Sequence, residues 1–397
     1  MKVLLVNDCG TPHGGSDVNM LTIRSELRKR GHDARLFSSS IRLGSCAQEA
    51  DYVCFGTETR FRTLVQTVNP WAYFKLRKVL ARFKPDVVHV RTFLLQLSPL
   101  ILPLISRFPS IYHIVLYKAV CPMGNRLLPC GKVCVDHAGF SCLSNRCLPL
   151  HAWLTLMLQL RLWRRWRSAF SCLITNSQAM KNALSVEGLE TTDVIWNGFP
   201  RRDQAPLAPF PTIVYAGRLV PEKGVDVLLQ AFSGVLRRVG EARLVIAGDG
   251  AERSRLEGLA DRLGIASSVV FAGHVSQTEM ERLFEGAWVQ VVPSRWPEPF
   301  GNVAAEAMMR GTVVVASRIG GLTEFIRHGV TGFHVSPDDV EDLSRTLSAL
   351  VTDRDRIEQV GKAGRDFALS HLTIEQCVDT ILHVYERVVR HKEVSVE

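Results

Sequence analysis

Thr212-Ile213-Val214-Tyr215-Ala216-Gly217-Arg218-Leu219-Val220-Pro221-Glu222-Lys223-Gly224 runs from a short apolar segment into a turn shaped by glycine and proline. From Val225 to Val239 apolar residues then recur at helical spacing, so the whole stretch reads as a strand, a loop and a helix. The unit repeats downstream. Strands are expected at Ala242–Ala247, Val269–Ala272, Val289–Val292 and Val313–Ala316, with helices at Glu252–Leu263, Gln277–Glu285 and Asn302–Arg310 between them. Regular alternation of this kind predicts a parallel sheet covered by helices.

Upstream the pattern is the same. Lys2–Asn7 is a buried strand, Cys9–Ser16 a Gly-rich turn, and Asp17–Arg30 a helix closed by Gly31; further strands are expected at Ala34–Phe37, Asp86–Val90, Ile111–Leu116, Cys172–Thr175 and Asp193–Ile195. Between Gly198 and Pro211 periodicity stops and prolines accumulate, which marks a linker. Beyond Asp338 the chain reads as helix, with Glu375–Lys392 long enough to run back to the first half. The expected organisation is therefore an α/β domain over 1–200, a second doubly wound domain over 206–374, and a returning helix over 375–397. Two such domains, with their strand carboxyl ends facing a shared cleft, suit a ligand made of two parts.

The chain has 397 residues, 46% hydrophobic and 22% charged, which excludes disordered and fibrous classes. No apolar run is long enough for a membrane span, and the apolar start at Met1 is too short for a signal peptide, so a cytoplasmic protein is expected. Net charge is +9, unevenly divided: residues 1–205 hold 27 Lys/Arg against 13 Asp/Glu, so the first half carries +14. Such asymmetry points to an anionic partner for that half.

The densest chemistry lies in Glu298-Pro299-Phe300-Gly301-Asn302-Val303-Ala304-Ala305-Glu306-Ala307-Met308. Asn302 is expected to cap a helix whose exposed amides favour a phosphate. Glu298, in the loop, and Glu306, on the helix, are carboxylates suited to sugar hydroxyls. Arg218 and Lys223, on the loop after the first strand of this domain, supply two cations for a diphosphate. Ala247-Gly248-Asp249-Gly250 and Gly320-Gly321-Leu322-Thr323-Glu324 follow further strands and let backbone approach a ligand closely.

Taken in order, Gly-Arg-Leu-x-x-x-Lys-Gly, Ala-Gly-Asp-Gly, Pro-Ser-x-x-x-Glu-Pro-Phe-Gly-(x)4-Glu-Ala-Met, Gly-Gly-x-x-Glu and Gly-x-Thr-Gly resemble glycosyltransferase family 4, retaining enzymes of the GT-B fold. The resemblance implies that Arg218 and Lys223 hold the diphosphate of a nucleotide-sugar donor, that Glu298 binds the transferred sugar, and that Glu306 binds the ribose. It places Gly217, Asp249, Phe300, Gly301 and Asn302 in the donor site, and Gly15, in Gly14-Gly15-Ser16, near the donor from the first domain. His113 stands where the family has an active-site histidine, although relatives follow that histidine with Asp and this chain has Ile114. Catalysis is expected to need no metal, because cations and a helix start neutralise the leaving group. The expected acceptor is a hydroxyl of a glycan or of a lipid-linked molecule.

Cys121, Cys130, Cys134, Cys142 and Cys147 crowd one insert. A structural zinc on Cys121, Cys134, Cys142 and Cys147 is one expectation, and reduced, packed thiols are the other. Directly after it, His151–Ser168 mixes Trp153, Trp163 and Trp166 with Arg161, Arg164, Arg165 and Arg167, a composition suited to an anionic membrane surface. No nucleic-acid recognition motif accompanies the basic half. A sugar-nucleotide epimerase would instead release a converted donor without an acceptor, and a non-catalytic glycan-binding protein would bind sugar without turnover.

Overall fold

The structure, a computed structural model, describes residues 1–12, 14–41 and 48–394. Each half contains one parallel sheet. The first comprises β1 (Lys2–Cys9), β2 (Asp33–Ser39), β3 (Tyr52–Cys54), β4 (Val87–Val90), β5 (Ser110–Ile114), β6 (Cys172–Thr175) and β7 (Asp193–Val194), in the order β3-β2-β1-β4-β5-β6-β7. The second comprises β8 (Thr212–Ala216), β9 (Arg243–Ala247), β10 (Val269–Gly273), β11 (Val289–Val292), β12 (Val313–Ser317) and β13 (Phe333–Val335), in the order β10-β9-β8-β11-β12-β13. β12 is buried along its whole length and β1 is buried from Val3 to Cys9, as strands covered on both faces must be. In each sheet the chain reverses its direction of winding once, at β1/β4 and at β8/β11. Loops leaving those neighbouring strands diverge and open a crevice at their carboxyl ends.

Two compact units result. The first takes Met1–Pro129, Cys134–Pro200 and Ile374–Glu397, and the second takes Cys130–Val133 and Arg201–Thr373. In the second unit the helices Val225–Val239 and Val340–Val351 bury Leu228, Phe232, Leu343 and Leu347 with the β-strand residues Leu244, Ile246, Val289 and Val315. In the first, Met20 and Ile23 of the helix Gly15–Lys29 join Val378, Ile381 and Tyr385 of the C-terminal helix Ile374–Val394 over Val3, Leu5, Ile111 and Ile174. Polar anchors fix the C-terminal helix there. The Ile374 amide donates to the Phe199 carbonyl at 3.0 Å, Arg30 Nη2 donates to the Glu375 carbonyl at 2.9 Å, and the Tyr385 hydroxyl lies 2.7 Å from His89 Nδ1.

The sequence pattern misses β3 and β13, each only three residues long and each at a sheet edge. A run that short shows no periodicity to detect. The segment after Asp338 divides into three helices, Val340–Val351, Arg354–His371 and Ile374–Val394. Among the described residues, no helix is long and apolar enough to cross a membrane.

Candidate active site

At the carboxyl end of β8 the chain turns through Gly217–Val220 into a single 3-10 turn, Pro221–Lys223, before the helix Val225–Val239. Gly224 joins turn to helix with φ +66°, and a Cβ there would sit 2.1 Å from the Pro293 carbonyl oxygen after β11. Only glycine allows this approach. It brings Lys223 Nζ within 2.6 Å of Glu298 Oε1, an ion pair across the point where the sheet reverses. Ser294 Oγ donates to the same carboxylate oxygen at 2.5 Å, and the Lys223 ammonium lies 5.1 Å from the centre of the Trp296 ring. Glu298 is thus a buried carboxylate with one charged and one neutral donor, a held group rather than a surface acid.

A residue absent from the sequence reading sets this loop. Arg295 donates from Nη1 and Nη2 to the two Asp226 carboxylate oxygens at 2.8 and 3.0 Å, from Nε to Asp338 at 2.7 Å, and from Nη1 to the Pro221 carbonyl at 3.0 Å. Its amide also donates to the Glu222 carbonyl at 2.9 Å. One guanidinium therefore ties the Lys223 turn, the start of the following helix and the β11 loop together. Burial raises the Asp226 pKa, but the Arg295 hydrogen bonds outweigh it and hold the group below its ordinary value of 3.8. A depressed carboxylate pKa adds stability above the unfolded value, and that stability is lost as pH falls through the folded value. Arg295→Met should accordingly destabilise the protein by about 1–3 kcal/mol at neutral pH, because it removes the bidentate partner of Asp226 and leaves it only the longer 3.7 Å pair with Arg255. The difference from wild type should shrink as pH falls from 3.8 through the depressed Asp226 value, where the wild-type carboxyl too becomes protonated and the Arg295 contribution is lost. Urea unfolding at several pH values checks this, and a pH-independent difference would contradict it.

Gly320 and Gly321 complete the Glu298 loop from the β12 side. A Cβ on Gly320 would lie 2.4 Å from the Glu298 carbonyl oxygen, and the Gly321 amide donates to that oxygen at 2.8 Å. Phe300 is buried against Phe325, ring centres 5.0 Å apart. Asn302 does not cap the helix. Gly301, at φ +101°, takes the cap position and its carbonyl accepts from the Ala304 and Ala305 amides at 3.0 and 3.3 Å, so Asn302 is the first residue of the helix Asn302–Arg310.

Glu306, in the next turn of that helix, is bound by an arginine that local sequence could not reveal. Arg202 Nη2 lies 3.4 Å from Glu306 Oε1 and also pairs with Glu281, and Arg310 reaches Glu281 at 3.3 Å. The remaining donor-side residues are placed less tightly. Arg218 projects into solvent with a 3.5 Å pair to Glu222; Gly217 donates its amide to the Ala247 carbonyl at 3.0 Å; Asp249 is exposed, accepting from the Gly250 amide at 2.7 Å. All of them lie on loops leaving β8 and β9, beside Lys223 in sequence or in the sheet.

In the first unit Gly15 opens the helix Gly15–Lys29. Asp17 Oδ2 accepts from the Gly14 amide at 3.2 Å, and Asn7 Nδ2 donates to Asp17 Oδ1 at 2.9 Å. This carboxylate is another group that sequence reasoning missed. His113 is not an open site residue. It lies inside β5, fully buried, stacked on His89 with ring centres 5.6 Å apart, and neither ring nitrogen has a hydrogen-bond partner. Burial, with Arg91 and His89 beside it, drives its pKa well below 6.5, so the ring is neutral. It belongs to the polar layer between the sheet and the C-terminal helix and enters no step proposed below. The insert thiols lie near one another, and burial, with Cys142, Cys134 and Cys121 nearby, raises the Cys147 pKa. Among the described residues no group of three or more His, Cys, Asp or Glu is placed to hold an ion, and Cys121, Cys134, Cys142 and Cys147 stay free thiols. Hydrogen bonds brace the insert instead, with Arg126 reaching the Cys134 and Ala183 carbonyls at 3.2 and 3.1 Å and Trp153 Nε1 the Gly139 carbonyl at 2.8 Å.

Two family profiles match, one per half: that described as Glycosyltransferase Family 4 over residues 13–202 and that described as Glycosyl transferases group 1 over residues 201–367. Among curated proteins, an uncharacterised glycosyltransferase of Methanocaldococcus jannaschii is 42% identical over 141 residues, 36% of either chain. The GDP-mannose-dependent alpha-(1-6)-phosphatidylinositol monomannoside mannosyltransferase of Mycobacterium tuberculosis is 37% identical over 163 residues, 40% of this chain and 42% of that protein. The chain thus matches about two fifths of the length of these relatives. Among solved structures, Anabaena HepE with UDP and glucose superposes with a TM-score of 0.71 at 21% identity, covering 98% of this chain and 100% of that one. Sucrose-phosphate synthase from Thermosynechococcus elongatus superposes at 0.74 with 20% identity and the same coverage. At these identities the two structures establish the fold alone, two parallel-sheet α/β domains of GT-B type.

Proposed function

We propose the reaction from the premise that this chain belongs to the family 4 glycosyltransferases: it transfers a hexose from a nucleotide-diphosphate sugar to an acceptor hydroxyl, with retention at the anomeric carbon. The observation that carries the reading is the Lys223–Glu298 pair at 2.6 Å, where the second sheet reverses. An ammonium beside a held carboxylate offers a leaving diphosphate one charge partner and the departing sugar a hydrogen-bond acceptor. The bond from the anomeric carbon to the phosphate oxygen breaks, the bond to the acceptor oxygen forms on the same face, and the acceptor proton passes to the departing phosphate oxygen. Arg218, the helix start at Asn302 and Lys223 stabilise the charge that develops there. Glu298 orients the sugar, and Glu306 takes the ribose hydroxyls in place of its bond to Arg202.

Support for retention is the position of both carboxylates on one segment, Glu298 to Glu306, leaving neither to act as a base across the sugar. The acceptor is a lipid-linked or envelope glycan at the cytoplasmic face of a membrane, a reading supported by the basic first half and by a relative named for a phosphatidylinositol monomannoside substrate. Thermal-shift screening of nucleotide sugars identifies the donor, and NMR of the product made with it reads the anomeric configuration. An α-donor should give an α-linked product. A β-linked product overturns retention, and release of an epimerised donor without transfer overturns the transferase reading.

A further inference from the structure

In the segment expected to meet a membrane, His151–Ser168, Trp163 is buried and Trp153 and Trp166 are half-buried. Within the helix Leu150–Trp166, Trp163 is fully buried with Leu156 and Leu160, while Leu150, Leu154 and Leu158, four residues apart, face solvent. That outward stripe is not isolated. The helix Arg62–Thr67 packs on a neighbouring face of the same helix, with Thr67 Oγ1 donating to the Thr155 carbonyl at 3.0 Å and Gln159 Nε2 to the Gln66 carbonyl at 2.5 Å. The helix Pro70–Phe83 continues directly from there, capped by Asn69, whose Nδ2 donates to the Phe55 carbonyl at 3.0 Å while the Phe55 and Trp71 rings pack 4.9 Å apart. Phe61, Leu64, Trp71, Phe74, Leu154 and Leu158 each keep 47–58% of their surface exposed. Scattered single apolar residues need no explanation, but large side chains concentrated on adjoining helices mark an interaction surface.

Charge says what covers it. Residues 59–84 contain seven Lys/Arg and residues 138–186 six, and neither stretch contains a single Asp or Glu. Lys75, Arg77, Lys78, Arg161, Arg164 and Arg165, on the same helices as the apolar side chains, are all exposed. Large apolar residues with a cationic rim and no carboxylate fit an anionic bilayer, where rings and leucines enter the headgroup boundary and the cations meet lipid phosphate.

We propose that the helices Arg62–Thr67, Pro70–Phe83 and Leu150–Trp166 together form the surface by which the first unit docks on anionic membrane, with Trp71, Phe74, Leu154 and Leu158 as the inserting residues. The inference rests on the reading that the acceptor is held at a membrane, and adds the face that meets it. The test is co-sedimentation of the full chain with phosphatidylcholine vesicles, with and without phosphatidylglycerol. Wild type should bind the anionic vesicles and release them as salt rises. The triple variant Trp71→Ser, Phe74→Ser, Leu154→Ser changes side chains that are more than half exposed, so it should stay folded, with a small drop in unfolding temperature from the lost Phe55–Trp71 contact, and bind anionic vesicles about tenfold or more weakly. Lys75→Glu with Lys78→Glu should lose a similar factor, about 1 kcal/mol for each charge removed from the surface. Equal wild-type binding to neutral and anionic vesicles, binding to neither, or unchanged binding by both variants overturns the proposal. So does self-association of wild type that the triple variant lacks, since that assigns the face to a second copy. Transfer to a water-soluble acceptor keeps this separate from the enzymatic reading: wild type that binds vesicles and transfers nothing refutes the reaction, not the surface.

Discussion

Lys223→Ala is expected to lower kcat/KM for the donor by roughly 10²-fold or more, the scale of losing one preorganised charge partner of a leaving group. The structure makes the loss twofold. Lys223 is the cation nearest the Glu298 carboxylate, 2.6 Å away, and Glu298 is buried, so removing the ammonium also strands a carboxylate held otherwise by Ser294. Lys223→Arg is not expected to restore activity fully. The ammonium sits over the Trp296 ring with Gly224 pressed against the β11 loop, and a planar guanidinium needs more room and another geometry. Kinetics measured alongside thermal unfolding separate a lost charge from a lost fold. Wild-type kcat/KM in a folded Lys223→Ala protein would falsify the assignment.

The second large effect is a division of labour between the two glutamates. Glu298→Ala should abolish measurable transfer, about 10³-fold or more, because it removes the acceptor for the sugar's hydroxyls at the moment the glycosidic bond breaks. It should nevertheless bind free nucleotide diphosphate at least as tightly as wild type. Without Glu298 the Lys223 ammonium has no carboxylate partner within the site, and a diphosphate takes its place. Glu306→Ala should do the reverse to binding and weaken the nucleotide. Isothermal titration with the nucleoside diphosphate of the accepted donor distinguishes them. Weaker binding by Glu298→Ala than by Glu306→Ala would reverse the roles.

How far the chain can be read without coordinates depends on the range of the interaction. β8 and the helices Val225–Val239 and Asn302–Arg310 have the boundaries expected from their apolar spacing, because a strand buried on both faces and a helix buried on one leave a local periodic record. Three-residue edge strands leave none. The loops carrying Lys223 and Glu298 were visible as Gly- and Pro-shaped turns at strand ends, but Arg295 and Arg202 were not, since each acts on partners many residues away: Arg295 on Asp226 and Arg202 on Glu306. His113 shows the converse limit. A histidine in an apolar strand has the same local sequence whether it points to a ligand or, as here, to His89 beneath the C-terminal helix. For Leu150–Trp166 the composition is legible in the sequence, but not that Trp163 packs inward and that Leu150, Leu154 and Leu158 form the exposed edge.

The return of the last helix has a consequence for how the chain is built. Because residues 374–394 complete the core over β1, β5 and β6, and Ile374 is bonded to Phe199, the second unit is an insertion whose two ends meet at one place in its host. During synthesis the inserted unit, 201–373, holds all of its own strands and can close before the first unit does. Its host must wait, with Val3, Leu5 and Ile174 uncovered, until the helix Ile374–Val394 emerges. A ribosome-bound chain halted before Ile374 is therefore the state of greatest aggregation hazard, and after a cut in the 201–211 linker only the packing and hydrogen bonds of the helix Ile374–Val394 hold the two pieces together.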